Sequence, residues 1–173
     1  LMQTLAQKEA RLQLLKGTEG SALAEAPRQS MLAVDHRSRP LRVERWIPQS
    51  SSKDGLWVLM MPGLGGDPDH FNWLARSLMQ AGWPVVVLKH PGSDAASVQA
   101  LLEGRQSFDG AAALRDRLAD LVAVLDAQQR GDLNIPGTEV VLMGHSLGAL
   151  TALLASGAQP VPGMEQRCEA ALA

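Results

Sequence analysis

The residues best suited to do chemistry in this 173-residue chain are Gly144-His145-Ser146-Leu147-Gly148. A serine hydroxyl is a poor nucleophile until a base takes its proton and nearby dipoles stabilise the charge that attack creates. The G-x-S-x-G spacing answers a steric need of that chemistry. A serine exposed at a sharp strand-to-helix turn sits in a strained backbone conformation, and small residues two before and two after it let strand and helix pass closely. The string alone recurs by chance, so its setting matters. An apolar run, Val140-Val141-Leu142-Met143, precedes it, and a small-residue helical pattern, Ala149 to Ala155, follows. Strand, G-x-S-x-G and helix in that order predict a nucleophile elbow with Ser146 as the nucleophile. The backbone N–H of Leu147, at the helix start, is the expected first donor of an oxyanion hole.

A second segment can complete that hole. Leu56 to Met61 (LWVLMM) is a continuous apolar run, as in a strand buried on both faces, and it ends in Pro62-Gly63-Leu64-Gly65-Gly66. Glycines let the backbone approach a substrate, which places Gly63 and Gly65 beside the pocket and makes the Leu64 N–H the expected second donor. A phosphate-binding reading of the same glycines is weaker, because G-x-G-x-x-G spacing is absent and no Lys-Ser/Thr pair follows.

The histidines carry less. His145 adjoins the serine, but its side chain leaves the turn in another direction, so it is expected to line the turn or the pocket and not to act as the base. His90 lies in His90-Pro91-Gly92-Ser93-Asp94, after the apolar run Val85 to Leu88. That position allows a substrate-pocket role or an ordinary surface-loop histidine. His70, in the first turn of a helix, reads as structural or solvated, and His36 lies in a loop. No histidine–carboxylate pair has metal-ligand spacing, and no metal or organic cofactor is expected. Cys168 reads as a small apolar filler.

The elements that must position these residues follow from patterning. Leu1 to Lys16 reads as an amphipathic helix, and the rest of residues 1–28 as a connection. Short β-type stretches fall at Ser30 to Val34 and Leu41 to Ile47, with Gln49 to Gly55 as a turn. Asp67-Pro68 supplies an N-cap and a first-turn proline for a helix with Phe71, Leu74, Ala75 and Leu78 on one face, stopped by Gly82. Ser97 to Glu103 reads as a short helix. Asp109 can cap a longer one, with Leu114, Leu118, Leu121, Val122 and Leu125 as its stripe. Met164 to Ala173 could start another. Strands alternating with helices over residues 29–173 predict an α/β domain with a mostly parallel sheet, helices on both faces and functional loops at the carboxyl ends of the strands.

Composition agrees. Hydrophobic residues make up 46 % and the net charge is −2, so the chain is globular and carries no basic block that would suggest nucleic acid or an anionic surface. No apolar stretch approaches the roughly 20 residues needed to span a bilayer. A single cysteine excludes an internal disulfide and agrees with a reducing, cytoplasmic setting. The oligomeric state is not readable.

With PGLGG after one strand, HPGSD after the next and GHSLG at the elbow, the chain resembles the α/β-hydrolase superfamily. More narrowly, it is similar to bacterial proteins described as predicted dienelactone hydrolases and to serine hydrolases related to them. The resemblance spans about Leu41 to Gln159. It implies hydrolysis of a small-molecule carboxylic ester or thioester through an acyl-enzyme. Dienelactone hydrolases themselves carry a cysteine at the elbow, so Ser146 points to esterase, lipase or thioesterase chemistry instead. The resemblance also implies an acid and then a histidine after the nucleophile. Residues 147–173 hold no histidine and no aspartate, only Glu165 and Glu169. The expectation is therefore an α/β-hydrolase fragment, incomplete at its C-terminal side, whose triad partners lie elsewhere and which is inactive alone. Two alternatives stay open: a non-catalytic binding protein on a degenerate hydrolase scaffold, and an acyltransferase using the same elbow.

Overall fold

Val85-Val86-Val87-Leu88 offers no polar position, and all four side chains are buried at the middle of a five-stranded sheet. The computed structural model describes residues 26–50, 55–159 and 162–163. Its strands are β1 (Arg28–Leu32), β2 (Leu41–Trp46), β3 (Leu56–Met61), β4 (Val85–Leu88) and β5 (Glu139–Gly144), in the spatial order β1-β2-β4-β3-β5. The three strands that lead to the candidate site, β4, β3 and β5, are mutually parallel. β1 and β2 run antiparallel and make the sheet mixed.

Alternate residues of the central strands feed two cores. Trp57, Leu59 and Met61 of β3 join Val86 and Leu88 on one face, against Leu121, Val124 and Ala127 of helix α3 (Gly110–Gln129) and Ala152 of α4 (Leu147–Ala155). Val58 and Met60 join Val85 and Val87 on the other, against Leu74, Ala75, Leu78 and Met79 of α1 (Asn72–Gln80). A strand covered on both faces needs apolar residues at every position, which is why β3 and β4 read as unbroken apolar runs. Each such buried side chain contributes about 1.5–3 kcal/mol relative to exposure. β5 ends the sheet among the described residues, and after Glu139 its side chains are only half-buried. Leu150 and Leu153 on the neighbouring α4 are 44 % and 59 % exposed.

Local signals act as read, with shifts that have physical causes. Asp67 forms a capping box with His70, but the segment opens as a 3-10 turn, Pro68–Phe71, before α1 begins. Helix α2 (Ala95–Leu102) starts two residues before Ser97 because Asp94 caps it, accepting from the Ser97 N–H at 3.0 Å and the Ser97 hydroxyl at 2.6 Å. β1 lies two residues earlier than Ser30 to Val34, where its register with β2 pairs Arg28 with Arg45 and Leu32 with Leu41. In α3, capped by Asp109 as expected, the inward face is Arg117, Asp120, Leu121, Val124 and Ala127, and Val122 is exposed. The predicted stripe is rotated because a buried arginine and aspartate occupy inward positions. The helix read over Leu1 to Lys16, the segment from Met164 and its Glu165, Cys168 and Glu169, and part of the Gln49 to Gly55 turn lie outside the described residues.

Candidate functional site

Three loops meet at the carboxyl ends of β3, β4 and β5, and the Ser146 turn is the tightest. β5 ends at Gly144, α4 begins at Leu147, and Ser146 between them has φ 52° and ψ −120°. Backbone in that region costs a non-glycine residue on the order of 1–3 kcal/mol. Close packing enforces it. A Cβ on Gly148 would lie 1.9 Å from the Met61 carbonyl oxygen, and one on Gly144 would lie 2.2 Å from the Gly148 carbonyl carbon and oxygen. Strand β3, strand β5 and helix α4 therefore touch backbone to backbone. The His145 N–H donates to the Met61 carbonyl at 3.2 Å, and the Gly148 N–H to the His145 carbonyl at 2.8 Å. Ser146 is exposed, and its hydroxyl makes no hydrogen bond among the described residues.

The loop after β3 backs onto that turn. A Cβ on Gly63 would lie 3.0 Å from both the Ser146 Cβ and the His145 carbonyl oxygen. Within this loop the Gly65 N–H donates to the Ser93 carbonyl at 2.8 Å and the Gly66 N–H to the Gly63 carbonyl at 3.1 Å. The Leu64 N–H and the Leu147 N–H make no hydrogen bond among the described residues. For Leu147 this is the ordinary state of a first helical residue. An open cavity of about 320 Å³ lies beside them, lined by Gly63, Leu64, Gly65, Gly66, His70, Phe71 and His145. The His145 and Phe71 rings are tilted against one another with centroids 6.4 Å apart. Ser146, Leu147, Leu64, Gly63, Gly65 and His145 are thus brought together. His70 keeps its structural place, its Nδ1 accepting from the Asp67 N–H at 3.4 Å, and also lines the cavity. A larger depression of about 530 Å³, between Leu32 to His36 and α3, lies away from this turn.

His90 is not at the cavity, and it is not a surface-loop residue either. It is 2 % exposed, and its Nδ1 donates to Asp120 Oδ2 at 2.9 Å. Asp120, fully buried, also accepts from His36 Nε2 at 2.7 Å and from Arg37 Nε and Nη2 at 2.8 and 2.6 Å. Burial works to raise the Asp120 pKa. Hydrogen bonds from His90, Arg37 and His36, with attraction to His90, outweigh it and hold the carboxyl below its usual range. Burial is also the main influence on His90 and lowers its pKa to about 4, with repulsion from Arg117 and Arg37 adding to it and Asp120 opposing. His90 is therefore neutral, a donor at Nδ1, with its buried Nε2 unpartnered among the described residues.

That shift has a consequence for acid stability. An unfolded histidine takes a proton near pH 6.5 while the folded one resists until about pH 4. Between those values the unfolded state binds more protons, so stability falls as pH drops from about 6.5 to 4, by on the order of 3 kcal/mol from this residue. The stabilising contribution of Asp120 is lost only at lower pH, because its own pKa is held down. Denaturant melts at stepped pH should show that decline, and His90→Asn, which keeps a donor for Asp120 but cannot titrate, should flatten it. An unchanged slope in the variant would assign the decline to other groups.

Sequence reading missed Arg37, Arg117 and Asp120. The only available signal was a charged pair three residues apart, Arg117 and Asp120, within a helix whose other inward residues are apolar. Among the described residues, no group of three or more His, Cys, Asp or Glu is placed to hold a metal ion.

A mixed sheet with helices on both faces and a serine on a strained turn between β5 and α4 define a hydrolase scaffold. The chain belongs to the alpha/beta hydrolase family, whose sequence profile matches residues 10–171. No curated protein matches it significantly. Among solved structures it is similar to a ferulic acid esterase from Streptomyces cinnamoneus, at TM-score 0.60 and 17 % identity over 79 % of this chain and 57 % of that one. It is also similar to a dienelactone hydrolase from Anabaena variabilis, at TM-score 0.53 and 22 % identity over 76 % of this chain and 57 % of that one. A dienelactone hydrolase-like promiscuous phosphotriesterase from metagenomic libraries gives TM-score 0.54 and 21 % identity, over 75 % and 54 % of the two chains. At such identities the likeness is one of fold. The chain spans little more than half the length of these proteins. Among the described residues, no helix is long and apolar enough to cross a membrane.

Proposed function

We propose that this chain carries the nucleophile and the oxyanion hole of a serine hydrolase acting on small-molecule carboxylic esters or thioesters. The observation that carries this reading is the Ser146 turn: an exposed hydroxyl, unbonded among the described residues, held at φ 52° between glycines that have no room for a Cβ. Strain of that kind persists only where the surroundings over-determine it, and it concentrates at functional sites.

In this reading the Ser146 oxygen attacks the substrate carbonyl, and a base takes the hydroxyl proton. The Leu147 and Leu64 N–H groups, unpaired among the described residues, receive the developing oxyanion. Collapse expels an alcohol or thiol, which leaves with the proton, and water then releases the acid from Ser146. Gly63 keeps the loop close to the serine, Gly65 lines the cavity beside it, and the Phe71 and His145 rings form part of its wall. The base is assigned to a histidine outside residues 1–173, together with the acid that orients it. The four histidines of the chain are placed otherwise. His36 and His90 serve Asp120, His70 serves a cap, and the His145 ring faces Phe71.

The test uses protein expressed from the uninterrupted coding sequence. Incubation with a dialkyl organophosphate should place one phosphoryl group on the peptide that contains Ser146, read by mass spectrometry. It should also stop turnover of p-nitrophenyl acetate and butyrate. A protein that neither turns over these esters nor takes the adduct is not a serine hydrolase, and the non-catalytic scaffold then leads.

A further inference from the structure

Arg117 is a buried charge that the proposed reaction does not use. It projects from α3 at 1 % exposure, and its guanidinium donates in three directions to three different elements. Nε donates to Thr151 Oγ1 at 3.1 Å, on α4. Nη1 donates to Ser93 Oγ at 2.8 Å, in the loop after β4. Nη2 donates to the Pro62 carbonyl, at the root of the loop after β3.

Each acceptor belongs to a residue that adjoins the segments carrying Leu64 and Leu147. Pro62 immediately precedes Gly63. The Ser93 carbonyl holds the Gly65 N–H at 2.8 Å. The Thr151 hydroxyl donates in turn to the Leu147 carbonyl at 2.8 Å. The loop carrying Leu64 and the helix start carrying Leu147 are thus tied to one planar group. All three acceptors are neutral, so among the described residues no ion pair at the fork offsets the cost of burial. Burial lowers the Arg117 pKa to about 10, against the attraction of Asp120 one turn along α3, which leaves the guanidinium charged at neutral pH. A buried charge is weak evidence for stability and better evidence for a demand on geometry. A flat fork with fixed donor directions meets that demand where a lysine ammonium does not.

We propose that Arg117 is a positioning residue that sets the spacing between the two oxyanion-hole donors, Leu64 and Leu147. This rests on the hydrolase reading above. Oxyanion donors act on the transition state far more than on bound substrate, so a slack loop lowers kcat and leaves KM nearly unchanged.

Arg117→Lys and Ser93→Ala, made in protein from the uninterrupted coding sequence, test it with two readouts. Arg117→Lys should lower kcat for p-nitrophenyl butyrate roughly 10- to 100-fold, with KM within about 3-fold. Ser93→Ala removes one of the three acceptors and should act in the same direction, by about 3- to 10-fold. Amide exchange followed by NMR should quicken about 10-fold or more at Gly65 in both variants, while Leu59 and Met60 in β3 keep their protection. If Arg117→Lys does not fold, Ser93→Ala carries both readouts alone. Unchanged kcat, or protection lost evenly across the sheet with kcat per folded molecule retained, overturns the proposal. A parallel Ser146→Ala protein separates the two failures. Turnover retained there removes the hydrolase reading and the kinetic readout with it, while exchange at Gly65 still upholds or overturns the hold of Arg117 on the loop.

Discussion

Ser146→Ala is expected to lower kcat/KM for a p-nitrophenyl ester by roughly 10⁴- to 10⁶-fold in protein from the uninterrupted coding sequence, the scale on which nucleophile removal acts in serine hydrolases. The fold should not pay for it. The hydroxyl makes no hydrogen bond among the described residues, and alanine keeps the same Cβ at the same backbone angles, so the denaturation midpoint should stay within about 0.5 kcal/mol of the parent. Ser146→Gly sharpens the test. Glycine adopts φ near +50° without steric cost, so it should abolish turnover and stabilise the protein by about 1 kcal/mol, because relief of strain outweighs the added freedom of the unfolded chain. An inactive variant more stable than its parent is the signature of a residue strained for chemistry. Comparable turnover in Ser146→Ala would instead show that the reaction uses another group, and an unstable Ser146→Gly would show that the turn is not strained.

The contrast between the serine turn and the buried charge network shows what was legible in the sequence and why. β3 and β4 were readable to the residue because strands covered on both faces leave unbroken apolar runs. The Ser146 turn was readable because its steric demand is met locally, by glycines two positions away. The network around Asp120 was not. It joins residues more than 80 positions apart, His36 and Arg37 to α3, and nothing in either stretch announces the other. Polar residues on a helix read as its solvent face, so Arg117 and Asp120 turned the predicted stripe toward Val122. His90 was misplaced for the same reason. Its loop lies at the functional end of the sheet, but the ring is drawn inward by a carboxylate that only the fold supplies.

Gly148→Ala is expected to cost at least about 3 kcal/mol, and its value as a test lies in its sign. Helix propensity alone predicts the opposite, since alanine in place of glycine inside α4 favours the helix by about 1 kcal/mol. The close approach must overturn that preference. The added Cβ would lie 1.9 Å from the Met61 carbonyl oxygen, 2.7 Å from the Met61 carbonyl carbon and 2.8 Å from the Pro62 carbonyl oxygen. These are backbone atoms, and no rotamer can move them away. Met61 is fully buried, and its carbonyl is already the acceptor for the His145 N–H. Helix α4 would have to withdraw from β3, carrying Leu147 and Ser146 away from the Gly63 loop. Activity should therefore fall even in whatever fraction remains folded. The neighbouring substitution Ala149→Gly, half-buried on the same turn, supplies the control: it should cost only about 1 kcal/mol, as helix propensity dictates. Denaturant midpoints of the two variants decide the matter. If Gly148→Ala is as stable as its parent, strand and helix do not approach as closely as described, and the strain assigned to Ser146 loses its cause.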